Sequence, residues 1–196
     1  MLTLGFDTAT DVATSALVWD GELLAELASR PVSVLEDVDA LFRQGGVRPQ
    51  QLEAIVVGTG PGSFTGVRMG IATARALALA LELPVAGVST LNALRQGASG
   101  SLPIVDARRR EVFVLDDEPR VLRPEDLDVE HRLCVGNGAV RYRTELERRG
   151  AEIPPDEDER HVPRARFHIE LADNYGPGQL VEPIYLRVPD AERSLQ

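Results

Sequence analysis

The middle of the chain, residues 54–83, contains a short apolar run, a glycine-rich turn and a long apolar helix in direct succession. The run AIVVG at 54–58 predicts a strand that is buried on both faces. The Gly-Pro-Gly sequence at 60–62 predicts a turn, because glycine accepts positive φ and proline fixes φ at a turn's first corner. The hydroxyl of Ser63 or Thr65 is placed to cap a helix that continues to about residue 83.

Small residues recur at every fourth position of this helix and therefore form one smooth side. They are Gly66, Gly70, Ala74 and Ala78. Such a side allows another element to approach closely, and two interpretations are open. Either the stripe packs inside one subunit, or it packs against another subunit.

The patterns on both sides of this stretch alternate between strand and helix periods. Three strands are predicted within residues 2–27, with Asp20-Gly21 as a hairpin turn, and a helix follows over 34–42. A short buried strand and a capped helix are expected over 85–96. The resulting order, β-β-β-α-β-α-β-α, predicts an α/β fold in which helices pack on a mixed sheet.

The sequence GASGS at 97–101 has the composition of a linker and is the predicted domain boundary. After it, two paired strands are expected within 102–115 and a helix over 138–149. The second half is shorter and more charged, so its core must be smaller. A strand that ends in Asp106 repeats, in outline, the strand that ends in Asp7.

Composition excludes several classes of function. The formal charge of −10 argues against nonspecific binding to nucleic acid, which depends on basic residues. All 21 basic residues are arginine, so lysine chemistry and a P-loop at residues 60–66 are both excluded. The single cysteine, Cys134, excludes an internal disulfide and is expected in the core. No signal-peptide pattern and no apolar run of membrane-spanning length is found, so we expect a cytoplasmic protein.

Two strand ends carry residues that could hold an anion or a cation. Asp7 with Thr8 and Thr10 is a candidate phosphate or magnesium site, since a carboxylate binds the cation while hydroxyls meet phosphate oxygens. Asp106, next to the arginines at 108–110, is a second candidate, although adjacent side chains on a hairpin point to different sides. The simpler alternative in both cases is a polar turn. No histidine pair has the spacing of a metal site, and no nucleophile motif is found.

Six short segments of the chain carry a family resemblance. They are FDTAT, GTGPGSFTGVRMGIATARALA, GVSTLNAL, IVDARRREVF, GNGAVRY and PIYLR, in that order. The most specific motif is formed by Gly60, Pro61, Gly62, Ser63, Phe64, Thr65 and Gly66. These segments resemble the TsaB family, formerly YeaZ, which is needed for threonylcarbamoyladenosine on bacterial tRNA. The resemblance covers nearly the whole chain.

The resemblance implies a fold of the actin, sugar-kinase and Hsp70 type (ASKHA, ribonuclease H-like) with two tandem α/β domains. We expect an N-terminal domain over residues 1–98 that carries the partner-binding helices. A smaller, degenerate domain of the same type is expected over residues 99–196.

The resemblance also implies a role in a complex. Members bind and activate TsaD, the catalytic paralogue, and the ATPase TsaE joins this pair. The chain is therefore expected to be non-catalytic, to pair with TsaD or with itself as a homodimer, to contact tRNA only within the complex, and to need no cofactor. The alternative is an ATP-binding or ATP-hydrolysing ASKHA enzyme, using ATP or ADP with magnesium, or a glycoprotease-like metallopeptidase.

Family members pair through the first two long helices of the first domain. Carried over to this chain, the expected surface comprises Val38, Leu41, Phe42, Gly66, Arg68, Gly70, Ala74 and Ala78. Two departures from the family pattern affect this carry-over. Residues 31–36 read PVSVLE where many members have a histidine-serine-glutamate segment. The loop after Asp7 also lacks the glycine of ATP-using members, which weakens the nucleotide interpretation.

Overall fold

The computed structural model describes residues 1–186, which form two β-sheets with helices packed against them. The first sheet has five strands in the order β3-β2-β1-β4-β5. Their bounds are Leu2–Asp7 (β1), Ala13–Trp19 (β2), Glu22–Ser29 (β3), Ala54–Gly58 (β4) and Val85–Val88 (β5). Strands β1 to β3 form an antiparallel meander, and β4 and β5 are added in parallel to β1. The predicted mixed sheet is confirmed.

Three helices alternate with these strands as the sequence predicts: α1 (Val34–Gly45), α2 (Phe64–Leu81) and α3 (Thr90–Gly97). Helix α1 ends at Gly46, whose φ of 66° is the left-handed conformation that glycine adopts readily. Ser63 is the N-cap of α2, because its hydroxyl accepts the amide of Gly66 at 3.3 Å. The alternative cap at Thr65 is not the one used.

The two faces of the first sheet are covered by different parts of the chain. Alternate residues of β4 point to opposite faces, so Ile55 and Val57 join the core formed with α1 and α2. Val56 points the other way and packs against Ile169, which lies on the last helix, α6 (Ala165–Leu171). The sequence interpretation missed α6, which has seven residues. A boundary at residue 98 separates this helix from the strands it covers.

The second sheet has four strands in the order β8-β7-β6-β9. Their bounds are Leu102–Asp106 (β6), Val112–Leu115 (β7), Pro119–Leu122 (β8) and Cys134–Val135 (β9). The predicted pairing of β6 with β7 is confirmed, whereas the short edge strand β8 was not predicted. The helix expected over 138–149 is two helices, α4 (Asn137–Arg141) and α5 (Arg143–Arg148), interrupted at Tyr142.

The segment after α6, residues 176–185, returns along the first sheet and is called the C-terminal strap below. Gly176 and Val85 exchange two backbone hydrogen bonds of 2.8 and 3.0 Å, so the strap begins beside β5. Ile184 donates its amide to the carbonyl of Thr59 at 2.9 Å. Between these points Val181 enters the core beneath α2. The strap is therefore tied to the first sheet at both ends and in the middle.

Helix α2 is, among residues 1–186, the one helix long and apolar enough to cross a membrane by length and composition alone, with a mean hydropathy of 1.3. The prediction that no apolar run reaches membrane-spanning length is therefore wrong for α2 by length and composition alone. The structure gives the physical reason for its apolar composition. One side of α2 packs on the sheet, as in the core helix of a globular domain.

Candidate functional site

A cleft of about 610 Å³ lies between the two sheets, where the loops that follow β1 and β6 approach each other. The lining from the first sheet comes from the loop 9–11 and from the start of α2, and that from the second comes from the turn 106–109. Phe113, Asn137 and residues 184–186, at and just after the end of the strap, also line the cleft. The cleft combines apolar side chains with charged ones.

Asp7 lies at the end of β1 but is withdrawn into the protein. Its side chain is 1% exposed, and Oδ2 lies 2.8 Å from Nε2 of the fully buried His168. The hydroxyl of Thr90 donates to the same oxygen at 2.7 Å, and the amide of Ala9 donates to Oδ1 at 2.6 Å. Burial is the largest single influence and would raise the pKa of the Asp7 carboxyl, but His168 together with the hydrogen bonds from Thr90 and Ala9 outweighs it, and the pKa lies below its ordinary value. Asp7 and His168 therefore form a buried polar pair between β1 and α6.

The two threonines of this candidate site are also engaged within the chain. The hydroxyl of Thr8 donates to the carbonyl of Gly66 at 2.7 Å, and that of Thr10 donates to the carbonyl of Val12 at 2.8 Å. Thr10 lines the cleft, whereas Thr8 is fully buried beneath the start of α2. The structure thus does not bring Asp7, Thr8 and Thr10 together around one point in the cleft.

Asp106, the second candidate, does line the cleft. Its Oδ1 accepts the amide of Arg108 at 3.0 Å, and Oδ2 lies 3.3 Å from the guanidinium of Arg108 and 3.7 Å from that of Arg141. Residues 108–110 all have left-handed backbone, with φ of 62°, 54° and 56°. The arginines diverge as expected, because Arg108 also pairs with Asp11 whereas Arg110 points toward Glu145.

The GPGSFTG motif has a packing role that its sequence did not reveal. Its peptide between Gly60 and Pro61 is cis, and the amide of Ser63 donates to the carbonyl of Ala9 at 2.7 Å. A Cβ at Gly62 would collide with that same carbonyl, and a Cβ at Gly66 would collide with the carbonyl of Thr8. The glycines therefore let the start of α2 lie directly on the loop that follows β1.

Seven of the eight residues proposed for a partner surface are buried inside the chain, and only Arg68 is exposed. Val38, Leu41 and Phe42 belong to the core under α1, at 8%, 0% and 7% exposure. The small-residue stripe of α2 faces the sheet, where a Cβ at Gly70 would collide with the hydroxyl of Thr8. The stripe therefore packs inside the chain, and these seven residues are covered in the folded structure.

The opposite side of α2 carries a different set of residues, called the outer α2 stripe below. It consists of Arg68, Ala72, Ala76 and Leu79, all exposed. The sequence contained this signal, because these positions follow helical spacing just as the small residues do. Periodicity defines the sides of a helix but does not say which side the sheet covers.

Two arginines of α2 connect it to the C-terminal strap. The guanidinium of Arg68 lies 3.7 Å from the ring centre of Phe64 and donates from Nε to the hydroxyl of Tyr185 at 2.9 Å. Arg75 donates to the carbonyls of Gly178, Gln179 and Val181 in the strap. These contacts were not predicted, because the strap is far from α2 in sequence.

Metal-binding and nucleophilic groups are not concentrated at the cleft. Across residues 1–186 no three histidine, cysteine, aspartate or glutamate side chains converge as a metal-binding cluster. Cys134 is buried in β9, as predicted, and burial raises the pKa of its thiol to about 11. At neutral pH it is therefore a protonated core residue.

Comparison with known proteins gives one consistent group of relatives. A family model described as TsaD, tRNA N6-adenosine threonylcarbamoyltransferase, matches residues 26–134. The chain is 31% identical to the tRNA threonylcarbamoyladenosine biosynthesis protein TsaB of Haemophilus influenzae, over 94% of this chain and 92% of that protein. It is 42% identical to TsaB of Escherichia coli over 58% of this chain and 53% of that protein.

Solved structures agree with the sequence comparison. YeaZ from Pseudomonas aeruginosa superimposes with a TM-score of 0.74 at 27% identity, covering 94% of this chain and 99% of that one. A second Pseudomonas aeruginosa structure, described as an uncharacterized protein with similarity to peptidase YEAZ, gives a TM-score of 0.79 at 27% identity and covers 95% and 99%. The arrangement of two sheets is thus shared over nearly the full length.

Proposed function

The chain belongs to the TsaB family of tRNA threonylcarbamoyladenosine biosynthesis proteins, and from that premise we propose that it acts in this pathway by binding the threonylcarbamoyltransferase TsaD. It supports catalysis by TsaD without performing the transfer itself. The withdrawal of Asp7 from the cleft into a buried polar pair supports a non-catalytic role. TsaE joins the pair, tRNA is contacted only within the complex, and the site of action is the cytoplasm.

The outer α2 stripe is the observation that carries the proposal. Leu79 is 77% exposed, and the alanines at 72 and 76 leave the helix backbone accessible beside it. Leu35 of α1, on the same face of the sheet, is 58% exposed. Removing an exposed aliphatic side chain from water is favourable, so covering these leucines with a partner would stabilise a complex. The helices assigned to partner binding therefore stay the same, but the contacting residues become those on their outer sides.

The same surface allows the chain to pair with itself. A second copy presents the same helices, and an interface between two copies would be a two-fold one in which identical patches meet. We propose that the homodimer and the TsaD heterodimer use the outer α2 stripe in competition. Neither state requires a nucleotide.

The domains proposed for this fold follow the packing of α6. The first ASKHA-type domain comprises residues 1–98 together with α6 and the C-terminal strap, and the smaller second domain comprises the segment between them. The support for this division is that Ile169 and Val181 pack into cores of the first sheet. The chain passes from the first domain to the second near residue 98, as predicted from the sequence, and we propose that it returns to the first domain just before α6.

Size-exclusion chromatography with light scattering tests the proposal on the chain alone and mixed with its cognate TsaD. We expect the mixture to elute as a heterodimer. The variant Leu79→Arg places a charge on the outer α2 stripe and should abolish this species without unfolding the chain, because Leu79 is mostly in water. Leu23→Arg, at a residue of β3 that is 40% exposed, is the matched control and should still pair. Pairing of Leu79→Arg as tight as that of the parent would contradict the proposed surface.

A further inference from the structure

A second groove, of about 410 Å³, lies between the C-terminal half of α2 and the C-terminal strap. Helix α2 contributes Ala76 and Leu79, the residues just after it contribute Glu82 and Leu83, and the strap contributes residues 177–179. Ala76 and Leu79 belong to the outer α2 stripe as well, so the groove opens directly onto the surface proposed for partner binding. The groove and that surface are continuous.

The strap that forms the outer wall is fixed by polar contacts to its backbone. Nε of Arg75 donates to the carbonyl of Gly178 at 3.1 Å, and its Nη2 donates to those of Gln179 at 3.3 Å and Val181 at 2.6 Å. The strap also begins in a backbone pairing with β5, and its end is tied to Arg68 through Tyr185. The wall is thus held in place without filling the groove.

The groove is suited to an apolar occupant. Leu79 in its wall is 77% exposed, and Leu180, which follows the wall residues in the strap, is 75% exposed. Two charged residues line the groove: Arg75, whose guanidinium is already directed at three carbonyls, and Glu82, whose carboxylate would repel an anion. An anionic group would have to compete with those carbonyls, whereas an aliphatic side chain would bury exposed apolar surface.

We propose that the C-terminal strap is the second wall of the partner-docking surface, and that the groove receives an apolar side chain from the helix of TsaD that corresponds to α2. This inference rests on the proposed function and adds the strap to it. The model of the transferase family matches residues 26–134, a range that contains α2, so the partner has a counterpart of this helix. A helix laid along the outer α2 stripe would present side chains to the groove at helical spacing.

Filling the groove from the strap side tests the inference without altering α2. Gln179→Trp places a large ring where the occupant would lie, and Gln179 is exposed, so the fold should be retained. The dissociation constant for the cognate TsaD, measured by calorimetry, should rise about tenfold or more, as for loss of an anchoring contact. Asn174→Trp is the matched control, because Asn174 is exposed and lies before the strap. Its affinity should equal that of the parent.

A second variant removes the clamp instead of filling the groove. Arg75→Ala deletes the three contacts to the strap and should also weaken binding, while the circular dichroism spectrum stays that of the parent. The inference is overturned if Gln179→Trp binds TsaD as tightly as the parent while Leu79→Arg does not, an outcome that leaves the proposed function intact. Absence of binding by the parent itself would overturn both. Weakened self-association with unchanged TsaD affinity would assign the groove to a second copy and also overturn the inference.

Discussion

The ends of strands β1 and β6 have the same local structure but different side chains packed around their aspartates. β1 ends in Asp7 and β6 ends in Asp106, and each carboxylate accepts the amide of the residue two positions later, at 2.6 and 3.0 Å. Each strand then turns back into an antiparallel neighbour. Despite this common start, Asp7 is enclosed in the core, whereas Asp106, which is also buried, lines the cleft.

The difference arises from elements that lie elsewhere in the sequence. Asp7 is covered by α6, which supplies His168, and by α3, which supplies Thr90. Asp106 faces two guanidinium groups, of Arg108 and Arg141, whose side chains are 59% and 54% exposed. Both carboxylates are buried, the side chain of Asp106 being 4% exposed, but the partner of Asp7 is buried as well whereas the partners of Asp106 extend into solvent. The same local turn is therefore paired inside the core in one case and with exposed arginines in the other.

The largest effect in this comparison is expected for His168→Ala. It leaves the Asp7 carboxylate without its imidazole partner at a site that is 1% exposed, and removal of one partner of a buried pair costs about 3–5 kcal/mol. Denaturant unfolding followed by circular dichroism measures this loss at neutral pH. Arg141→Ala, which removes a partner of Asp106, is the corresponding control and should cost less than about 1 kcal/mol. Equal losses of unfolding free energy for the two variants would show that the partners of Asp7 and Asp106 stabilise the fold equally.

An intermediate effect is expected when pH is lowered. The pKa of Asp7 lies below its ordinary value of 3.8 in the folded state, so the unfolded state takes up its proton first. Stability from Asp7 is therefore complete above this ordinary value and is lost as pH falls below it. One proton changes the free energy of unfolding by at most about 1.4 kcal/mol per pH unit.

His168→Gln isolates this contribution in the same measurement. Without the imidazole, burial is the largest remaining influence and raises the pKa of Asp7, so acid no longer removes stability at this site. The gap in unfolding free energy between parent and variant should narrow from pH 5 to pH 3. Asp116, whose pKa is lowered by Arg132, contributes equally to both proteins. A gap that stays constant with pH would show that Asp7 and His168 are not coupled.

The first sheet illustrates what local sequence can determine. The strand at 54–58 and the start of the helix at Phe64 were predicted closely, because an apolar run, a Gly-Pro turn and a capping serine act within a few residues. Helix α6 was missed, since seven residues are too few to display a periodicity. The break at Tyr142 was missed for a related reason, because the composition on both sides of it is helical.

The candidate site was less predictable than the fold. Nothing near Asp7 in the sequence indicates that His168 will cover it, because the two residues are far apart in the sequence. The stripe of α2 shows the same limit, since Gly70 and Leu79 occupy opposite sides of one helix and only the sheet distinguishes them. Motif and period therefore identified the right elements, whereas contacts between distant segments determined which side chains are accessible.

The smallest effect is expected for Asp106→Asn. The amide oxygen can still accept the backbone amide of Arg108, and the two ion pairs that are lost have guanidinium groups that are more than half exposed. Pairs with exposed guanidinium groups contribute about 0–1 kcal/mol, and a neutral amide costs less to bury than a carboxylate, so the unfolding free energy should fall by less than about 1 kcal/mol. The same denaturation measurement, repeated in high salt, should show even less difference because salt screens exposed pairs. A loss near that of His168→Ala would mean that the burial of the Asp106 carboxylate outweighs the exposure of its guanidinium partners, and that the two strand ends differ less than their partners suggest.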